Sequence, residues 1–157
     1  MFERYTEPAV RVLRFSRDEA RERGSVFIET EHLLVGVIRV GADVTSRVFG
    51  DASLSVDAVR AAMAPAKPPV PSFIPDEDTH FSGETKRVLQ YAAEEADRLL
   101  HAFQREGRPY LDHIGPEHQL LGLLREHTAG AVSILVRHGV TLELVRDCVA
   151  RAHLEIE

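Results

Sequence analysis

The chain repeats itself, and this internal duplication constrains its fold more than any single motif does. Residues 5–23 align with residues 81–99 at a shift of 76 positions, and residues 28–60 align with residues 114–146 at a shift of 86 positions. Ten residues (86 − 76) are therefore inserted inside the second copy. Because each copy of a repeated unit can bury the apolar face of the other, the duplication predicts one compact body with two equivalent sites.

Apolar residues recur at helical spacing in both copies, and no segment alternates long enough to predict a strand. In the first copy, Val10, Leu13 and Ala20 indicate a helix that begins after Thr6 as its N-cap. The predicted helices span about 6–23, 30–41, 43–49, 55–64, 82–105, 116–126, 128–137 and 141–153. The fold is therefore predicted to be all-α, with two tandem four-helix repeats related by pseudo-twofold symmetry in one compact bundle.

Proline marks the boundary between the copies. Residues 64–80 hold five of the eight prolines of the chain, which excludes a helix and favours an extended connector. We expect the insertion to lengthen the first helix of the second repeat and to close with a loop at 107–110. The predicted organisation is one domain, 1–157, made of repeat one (about 2–64), a linker (65–80) and repeat two (about 81–154, with the insertion at about 100–113).

Composition excludes several classes of protein. The formal charge is −6 and the basic residues are dispersed, so no surface for a phosphate backbone is expected, and we exclude nucleic acid as a partner. No apolar stretch is long enough to span a membrane, and the N-terminus lacks a signal-peptide core, which predicts a cytoplasmic protein without a membrane partner. The single cysteine, Cys148, lies in an apolar run and is predicted to be a small core residue.

The motifs of common enzymes are absent from the sequence. It contains no phosphate-cradling Gly-x-x-x-x-Gly-Lys-Ser/Thr, no His-Glu-x-x-His and no Gly-x-Ser-x-Gly. The adjacent Glu31-His32 and Glu117-His118 pairs point their side chains about 100° apart on a helix, which does not favour a shared metal. We therefore predict no catalytic residue, no metal and no cofactor. An enzyme with an unrecognised histidine–carboxylate site remains an alternative.

The helix beginnings are better candidates for a binding site. Thr6, Thr30 and Ser82 stand where side-chain oxygens cap helices, and the free N–H groups of a helix start attract anions. Glu31 and Glu117 lie in first turns, where a carboxylate can simply complement the helix dipole. Alternatively, these groups recognise a ligand that carries both an anion and a guanidinium, with the latter paired to the glutamate.

At these residues the chain resembles the double-repeat N-terminal domain of Clp ATPases, especially of the ClpC type. The resemblance is carried by the opening Met1–Glu7, by Thr30–Ile38, by its second copy Glu117–Arg125, and by the Val-Arg pair that closes each unit. It extends over almost the whole chain. It implies a compact bundle of two four-helix repeats that recognises substrate and adaptor proteins and delivers them to an unfoldase–protease machine.

The resemblance also implies particular site residues. Each repeat of a ClpC-type domain can hold a phosphorylated arginine, which is a degradation mark. Carried over by position, Thr6 would lie near the phosphate and Glu31 near the guanidinium in repeat one. Ser82 and Glu117 are their counterparts in repeat two.

A second implied site concerns cyclic-peptide antibiotics, which bind the N-terminal domains of this family near the first helices. Phe2 and Phe81 match aromatic positions at that rim. The ATPase modules that follow this domain in the family are absent after Glu157, so we expect a stand-alone domain. Such a domain could also act as a decoy that sequesters cyclic-peptide toxins or Clp adaptors.

Two departures from the family pattern affect the phosphoarginine prediction. Glu29 stands where the family has glycine, which adds a negative charge beside the expected phosphate. Pro116 stands where the family has threonine, which removes a hydroxyl and a backbone N–H donor. Because the insertion also precedes the second site, the sequence ranks the repeat-one site above the repeat-two site.

Overall fold

The computed structural model describes residues 2–108 and 112–155, the last three as backbone only. These residues form eight α-helices: α1 (Glu7–Glu22), α2 (Thr30–Val40), α3 (Asp43–Asp51), α4 (Val56–Ala62), α5 (Gly83–Arg105), α6 (Pro116–Arg125), α7 (Gly130–Arg137) and α8 (Leu142–Glu155). Helices α1–α4 form repeat one and α5–α8 form repeat two. The all-α prediction with four helices per repeat is confirmed.

Within each repeat, the first two helices pack closely because the second helix carries a glycine at the crossing point. A Cβ atom added at Gly36 of α2 would lie 2.5 Å from Ser16 Oγ and 2.6 Å from the Val12 carbonyl oxygen of α1. At the equivalent Gly122 of α6, a Cβ atom would collide with the Val88 carbonyl oxygen of α5. The repeated glycine therefore sets the distance between the two helices in both copies.

The main apolar core draws residues from both repeats, as the duplication predicts. Each fully buried leucine contributes about 1.5–3 kcal/mol relative to an exposed one. On α1 the buried face differs from the prediction, because the face that meets Gly36 holds Val12 and Ser16, while Val10 and Leu13 are only half-buried. The fully buried large apolar side chains of this core include Leu33, Leu34, Leu120, Leu121, Leu123 and Leu135.

Two short parallel pairings cross between the repeats, where the sequence predicted no strand. Strand β1 (Phe27–Ile28) pairs with β2 (His80–Phe81), with Ile28 opposite Phe81. A single bridge pairs Tyr5 with Ile114, also in parallel. By the shifts of 76 and 86, Tyr5 corresponds to Phe81 and Ile114 to Ile28, so the two pairings are symmetry mates. The segment before α1 thus lies beside the segment before α6, and the segment before α5 lies beside the segment before α2.

Several helix ends differ from the predicted ones. Glu29, and not Thr30, is the N-cap of α2, and Thr30 is its buried first residue. Helix α7 begins at Gly130, two residues after the predicted start. Helix α5 has 23 residues against 16 in α1, which is the expected lengthening at the insertion. The predicted loop at 107–110 extends beyond the described residues.

The linker lies against α1. Arg21 donates hydrogen bonds to the carbonyl oxygens of Pro71, Ile74 and Pro75, and its Nη1 also donates to Thr79 Oγ1 at 3.0 Å. Residues Asp76–Asp78 form a short 3-10 helix. The predicted connector therefore has a fixed course along the body of repeat one.

Two further expectations concern Cys148 and the membrane. Cys148 is half-buried and packs against the main core, so it is less enclosed than predicted. Its Sγ lies 4.0 Å from Nη2 of Arg151. Among the described residues, no helix is both long and apolar enough to cross a membrane.

Candidate functional site

The predicted capping residues at the starts of α1 and α5 cap these helices. Thr6 Oγ1 accepts a hydrogen bond from the Ala9 amide at 3.3 Å, and Ser82 Oγ accepts one from the Thr85 amide at 3.2 Å. Both residues are half-buried and sit at the surface where the two repeats meet. At the start of α1 this leaves the Glu7 amide for a ligand, because Pro8 has no N–H, whereas the start of α5 leaves the amides of Gly83 and Glu84.

The cross-repeat pairings decide which predicted residues meet. The Thr6 amide donates to the Ile114 carbonyl at 3.1 Å, and the Ser82 amide donates to the Ile28 carbonyl at 3.1 Å. Thr6 consequently lies with Glu117 in one cavity, while Glu31 lines a different pocket. The predicted pairing of Thr6 with Glu31 within one repeat is wrong. Each site is built from both repeats because the pseudo-twofold axis exchanges the segments that precede the helices.

The Thr6–Glu117 cavity is the larger of the two, with a volume of about 630 Å³. It is lined by the starts of three helices, namely α1, α3 and α6. The positive ends of these helix dipoles favour an anion, and Arg47 adds a guanidinium to the lining. The residues of the cavity on which the following argument depends are Thr6, Asp43, Arg47, His113, Gly115 and Glu117.

Glu117 supplies the carboxylate of this cavity. Burial raises the pKa of its carboxyl, but the contact with His113, together with contacts to His118 and to its own backbone amide, lowers that pKa by more. The net pKa lies below the ordinary value, so the group is ionised at neutral pH. His113 Nε2 lies 3.6 Å from Glu117 Oε1. The carboxylate therefore already faces a polar neighbour, which a ligand guanidinium would have to displace or share.

The Glu31 pocket is the pseudo-symmetric counterpart, with a volume of about 220 Å³. The Glu31 carboxylate accepts a hydrogen bond from Thr30 Oγ1 at 2.7 Å and lies at the start of α7, where a Cβ atom added at Gly130 would approach its carboxyl carbon to 2.9 Å. Among the described residues, Glu31 has no ion-pair partner. Linker residues 64–67 form one wall of this pocket.

Glu29 adds a second carboxylate to the Glu31 pocket. Partial burial raises the pKa of the Glu29 carboxyl, and the charges of Glu31 and Glu84 raise it further, although the hydrogen bond with Ser82 lowers it. At the equivalent position the other cavity has Gly115. Each pocket is therefore lined by two carboxylates, Glu29 and Glu31 in the smaller one and Asp43 and Glu117 in the larger one.

The two histidines of the repeated Glu-His pairs cap helices, a role that the sequence indicated only as a polar first-turn position. His32 Nδ1 accepts a hydrogen bond from the Glu29 amide at 2.9 Å, and His118 Nδ1 accepts one from the Gly115 amide at 2.9 Å. Both rings are buried. The signal that could have identified this role is the recurrence of histidine at the third helical position of both copies.

Within the described residues, His113, Glu117 and His118 form a group whose ligand atoms lie within 4.8 Å of one another, as a metal site requires. The Nδ1 lone pair of His118 is already used by the Gly115 amide, however, just as that of His32 is used in repeat one. A metal on Nδ1 would have to break this helix cap, and a metal on Nε2 would require the opposite tautomer. The chemistry of the donor set therefore does not favour a metal.

Phe2 and Phe81 line a third concavity, the apolar groove, which has a volume of about 390 Å³. Their ring centroids lie 6.5 Å apart in an edge-to-face arrangement, and the ring of Tyr5 lies 4.9 Å from that of Phe2. Leu89 and Ile114 complete the apolar lining, and two polar side chains, Lys86 and Gln90, also border the groove.

The profile of a known family matches this chain. The family, described as the Clp repeat (R) N-terminal domain, matches residues 4–105. This chain belongs to the Clp N-terminal domain family. It is 34% identical over 151 residues to the chloroplastic chaperone protein ClpC2 of Arabidopsis thaliana, a match that covers 96% of this chain and 15% of that relative.

Solved structures of Clp N-terminal domains agree with this assignment. The N-terminal domain of the caseinolytic protease associated chaperone ClpD from Arabidopsis thaliana superimposes with a TM-score of 0.67 at 26% identity, covering 99% of this chain and 97% of that one. The Hsp104 N-terminal domain from Candida albicans gives a TM-score of 0.60 at 18% identity, and the match covers 93% of this chain and 89% of that one. The second match shows a likeness of fold alone.

The family has a general role. Clp N-terminal domains are non-catalytic interaction modules that bind substrates and adaptors of Clp unfoldases. The Clp N-terminal domain described here spans only about 15% of the length of the ClpC2 relative.

Proposed function

We propose that this Clp N-terminal domain is a non-catalytic peptide-recognition module for substrate or adaptor proteins of a Clp machine, and that its main site takes phosphorylated arginine. The observation that carries the proposal is the Thr6–Glu117 cavity, where three helix starts face a space beside an ionised carboxylate, with Arg47 at its border. A phosphoarginine side chain carries a phosphate and a guanidinium at a fixed short distance, which matches this pair of features.

The cavity volumes reverse the ranking that the sequence suggested. The Thr6–Glu117 cavity is about 630 Å³, against about 220 Å³ for the Glu31 pocket, and it has Gly115 where the smaller pocket has Glu29. Pro116 leaves helix α6 itself intact, because the amide of the first helical residue makes no hydrogen bond within a helix, but it removes one N–H donor from the anion site. The repeat-two carboxylate, together with Thr6, is therefore the preferred site of this proposal.

Calorimetric titration with free phosphoarginine tests the proposal. We expect binding to the wild type, and we expect Glu117→Gln to weaken it by about 10- to 150-fold, which corresponds to about 1.5–3 kcal/mol for a hydrogen bond to a charged group. Glu7→Gln is the matched control, because Glu7 is an exposed first-turn carboxylate next to Thr6. Phosphoserine and unmodified arginine serve as ligand controls that separate the anion from the guanidinium. Absence of heat with phosphoarginine at saturating concentration would refute the proposal.

A second candidate function is the sequestration of cyclic peptides in the apolar groove. The exposed edges of Phe2 and Phe81 and the volume of about 390 Å³ suit a small ligand with aromatic side chains. We expect the double substitution Phe2→Ala and Phe81→Ala to abolish binding of an aromatic cyclic peptide in calorimetry. Phe73→Ala is the control, since Phe73 is 84% exposed in the linker and does not line the groove. An unchanged affinity in the double variant would exclude the groove.

The cellular compartment also stays a proposal. We keep the cytoplasm as the proposed compartment, although relatives such as ClpC2 of Arabidopsis thaliana are named as chloroplastic. Fractionation of the source cell with an antibody to this domain would decide between the cytoplasm and an organelle.

A further inference from the structure

The first part of the linker, residues 64–70, is bound along the C-terminal end of α1, and we refer to it as the strap. The Lys67 amide donates to the Arg23 carbonyl at 3.1 Å, and the Val70 amide donates to the Arg21 carbonyl at 2.8 Å. In return, Arg23 Nη2 donates to the Ala64 carbonyl at 2.7 Å. The strap is thus held by three hydrogen bonds that involve its backbone.

Gly24 is the residue that lets the strap approach. Its φ of +77° lies in the left-handed region, and an added Cβ atom would lie 2.5 Å from the Pro68 carbonyl oxygen and 2.7 Å from Lys67 Cβ. Only glycine both adopts this conformation without strain and leaves room for the strap. A larger side chain at position 24 would therefore push the strap away from α1.

The strap lines the Glu31 pocket. Residues 64–67 border this pocket together with Glu29, Glu31 and His32. In repeat two the chain continues at the equivalent place as helix α8, and among the side chains that the structure describes in this helix, Ala152 lines the larger cavity. The Glu31 pocket has a volume of about 220 Å³, against about 630 Å³ for that cavity.

Repeat two also lacks the residues that fasten the strap. By the shift of 76, Arg21 and Arg23 correspond to Asp97 and Leu99. Asp97 accepts a hydrogen bond from Arg4 at 2.8 Å, and a leucine has no donor for a carbonyl oxygen. The side-chain hydrogen bond from Arg23 to Ala64 therefore has no equivalent at Leu99 in repeat two.

We propose that the strap is an autoinhibitory element that narrows the Glu31 pocket and excludes phosphoarginine from it in the isolated domain. The domain then binds one ligand side chain in the Thr6–Glu117 cavity, and it gains a second site when the strap leaves α1. This inference rests on the proposed function for the identity of the ligand. The part of the inference that concerns the accessibility of Glu31 is independent of the proposed function.

Two independent changes should loosen the strap. The double substitution Arg21→Ala with Arg23→Ala removes the side-chain bonds to Ala64 and to Pro71, Ile74 and Pro75, although the backbone bonds of Lys67 and Val70 remain possible. Gly24→Ala places a methyl group against Pro68 and Lys67. Arg14→Ala is the matched control, because Arg14 is an exposed arginine of the same helix. Hydrogen exchange at the Lys67 and Val70 amides reports release directly, and circular dichroism reports whether each variant is folded. We expect exchange at both amides to accelerate in the released variants and to stay unchanged in the control.

Titration with phosphoarginine then counts the sites. We expect one site in the wild type, removed by Glu117→Gln, and two sites in the released variants, one of which Glu31→Gln removes. A wild type with two sites overturns the strap proposal and leaves the proposed function intact. A variant with accelerated exchange that still shows one site overturns it as well.

Thiol labelling provides a readout that does not depend on phosphoarginine. In a Cys148→Ser background, Glu31→Cys should react with a charged maleimide at least about tenfold faster when the strap is released. If labelling accelerates but phosphoarginine binds nowhere, the proposed function fails and the strap proposal survives. If the labelling rate is the same in wild-type and released backgrounds, the strap does not cover this pocket.

Discussion

The buried carboxylate of Glu19 and the guanidinium of Arg60 form a two-point hydrogen-bonded pair between α1 and α4. Arg60 Nε lies 3.0 Å from Oε2 of Glu19, and Nη2 lies 2.7 Å from Oε1. Glu95 and Arg146 repeat the pair between α5 and α8, with Nε and Nη2 at 2.9 Å and 2.6 Å from Oε1. Both glutamates are almost inaccessible, with 1% and 2% of the residue exposed. Each repeat therefore contains the same ion pair, and this pair links the first helix of the repeat to its last helix.

Removal of Arg60 is expected to cost more stability than removal of the whole pair. Arg60→Met leaves an uncompensated buried carboxylate, for which we expect a loss of about 3 kcal/mol in the free energy of unfolding, near the lower limit for buried pairs because the arginine is 38% exposed. The double variant Glu19→Leu with Arg60→Met removes the charge together with its partner and should recover most of that loss. Urea denaturation measures both values.

The same pair has a defined pH dependence. Burial raises the pKa of Glu19, but the hydrogen bonds and charge of Arg60 lower it by more, so its folded pKa lies below the ordinary value of 4.5. A carboxyl with a depressed folded pKa stabilises the fold above its unfolded pKa and loses that contribution as the pH falls through the folded pKa. The free energy of unfolding of the wild type should therefore decrease below about pH 4.5, and that of the double variant should decrease less steeply. Parallel pH curves for the two proteins would contradict this assignment.

Gly36→Ala should destabilise the domain by about 1–3 kcal/mol, because the new methyl group overlaps Ser16 Oγ and the Val12 carbonyl oxygen at the crossing of α1 and α2. Gly50→Ala is the control: Gly50 also lies in a helix, is exposed, and has no atom within 4 Å of an added Cβ. That change should stabilise α3 by about 0.5–1 kcal/mol through helix propensity. Thermal denaturation of the two variants should shift in opposite directions. A Gly36→Ala protein as stable as the wild type would show that the helices separate at little cost.

His32 should make stability depend on pH near neutrality. Burial lowers its pKa below the ordinary value of 6.5, against the opposing charges of Glu31 and Glu19, and its Nδ1 must stay unprotonated to accept the Glu29 amide. Between the folded and unfolded pKa values the unfolded chain binds more protons, so stability falls as the pH drops below about 6.5. His32→Gln keeps an acceptor at the third helical position without a titrating group, and should reduce this slope in denaturation curves between about pH 7.5 and 5.

The control for this prediction is His127→Gln, because His127 is an exposed histidine of repeat two. Its slope should match that of the wild type. If the free energy of unfolding depends on pH equally steeply in the wild type and in His32→Gln, the buried imidazole does not resist protonation.

The sequence predicted the fold well because the duplication and the helical spacing are properties of the whole chain. Eight helices, the N-caps at Thr6 and Ser82, and the proline-rich break all follow from local rules. The buried face of α1 differs from the predicted face because Gly36, a residue of α2, determines which side of α1 packs closely. A glycine inside a helical pattern lowers the helix propensity but does not say which neighbour approaches it.

The positions of the candidate site residues at helix starts were predicted, but their arrangement was predicted wrongly. Thr6, Glu31, Ser82 and Glu117 all lie at helix starts. The sequence grouped them by repeat, whereas the Tyr5–Ile114 and Ile28–Phe81 pairings exchange partners across the pseudo-twofold axis. Pairings of one or two residues leave no alternating pattern in a sequence. The position of the strap beside Glu31 could not be predicted from the sequence either, because its hydrogen bonds involve backbone groups.

The last prediction concerns the enzyme alternative, which depends on His113, Glu117 and His118. Since His118 Nδ1 accepts the Gly115 amide, we expect the purified domain, dialysed against metal-free buffer containing no chelator, to retain well below one zinc ion per chain by mass spectrometry. His113→Phe is the matched variant, because phenylalanine occupies the equivalent position 27 in repeat one. One zinc ion per wild-type chain that is lost in His113→Phe would show that the helix cap yields to a metal. The histidine–carboxylate group would then have to be tested for metal-assisted hydrolysis, with Glu117 as a ligand and not as a partner for arginine.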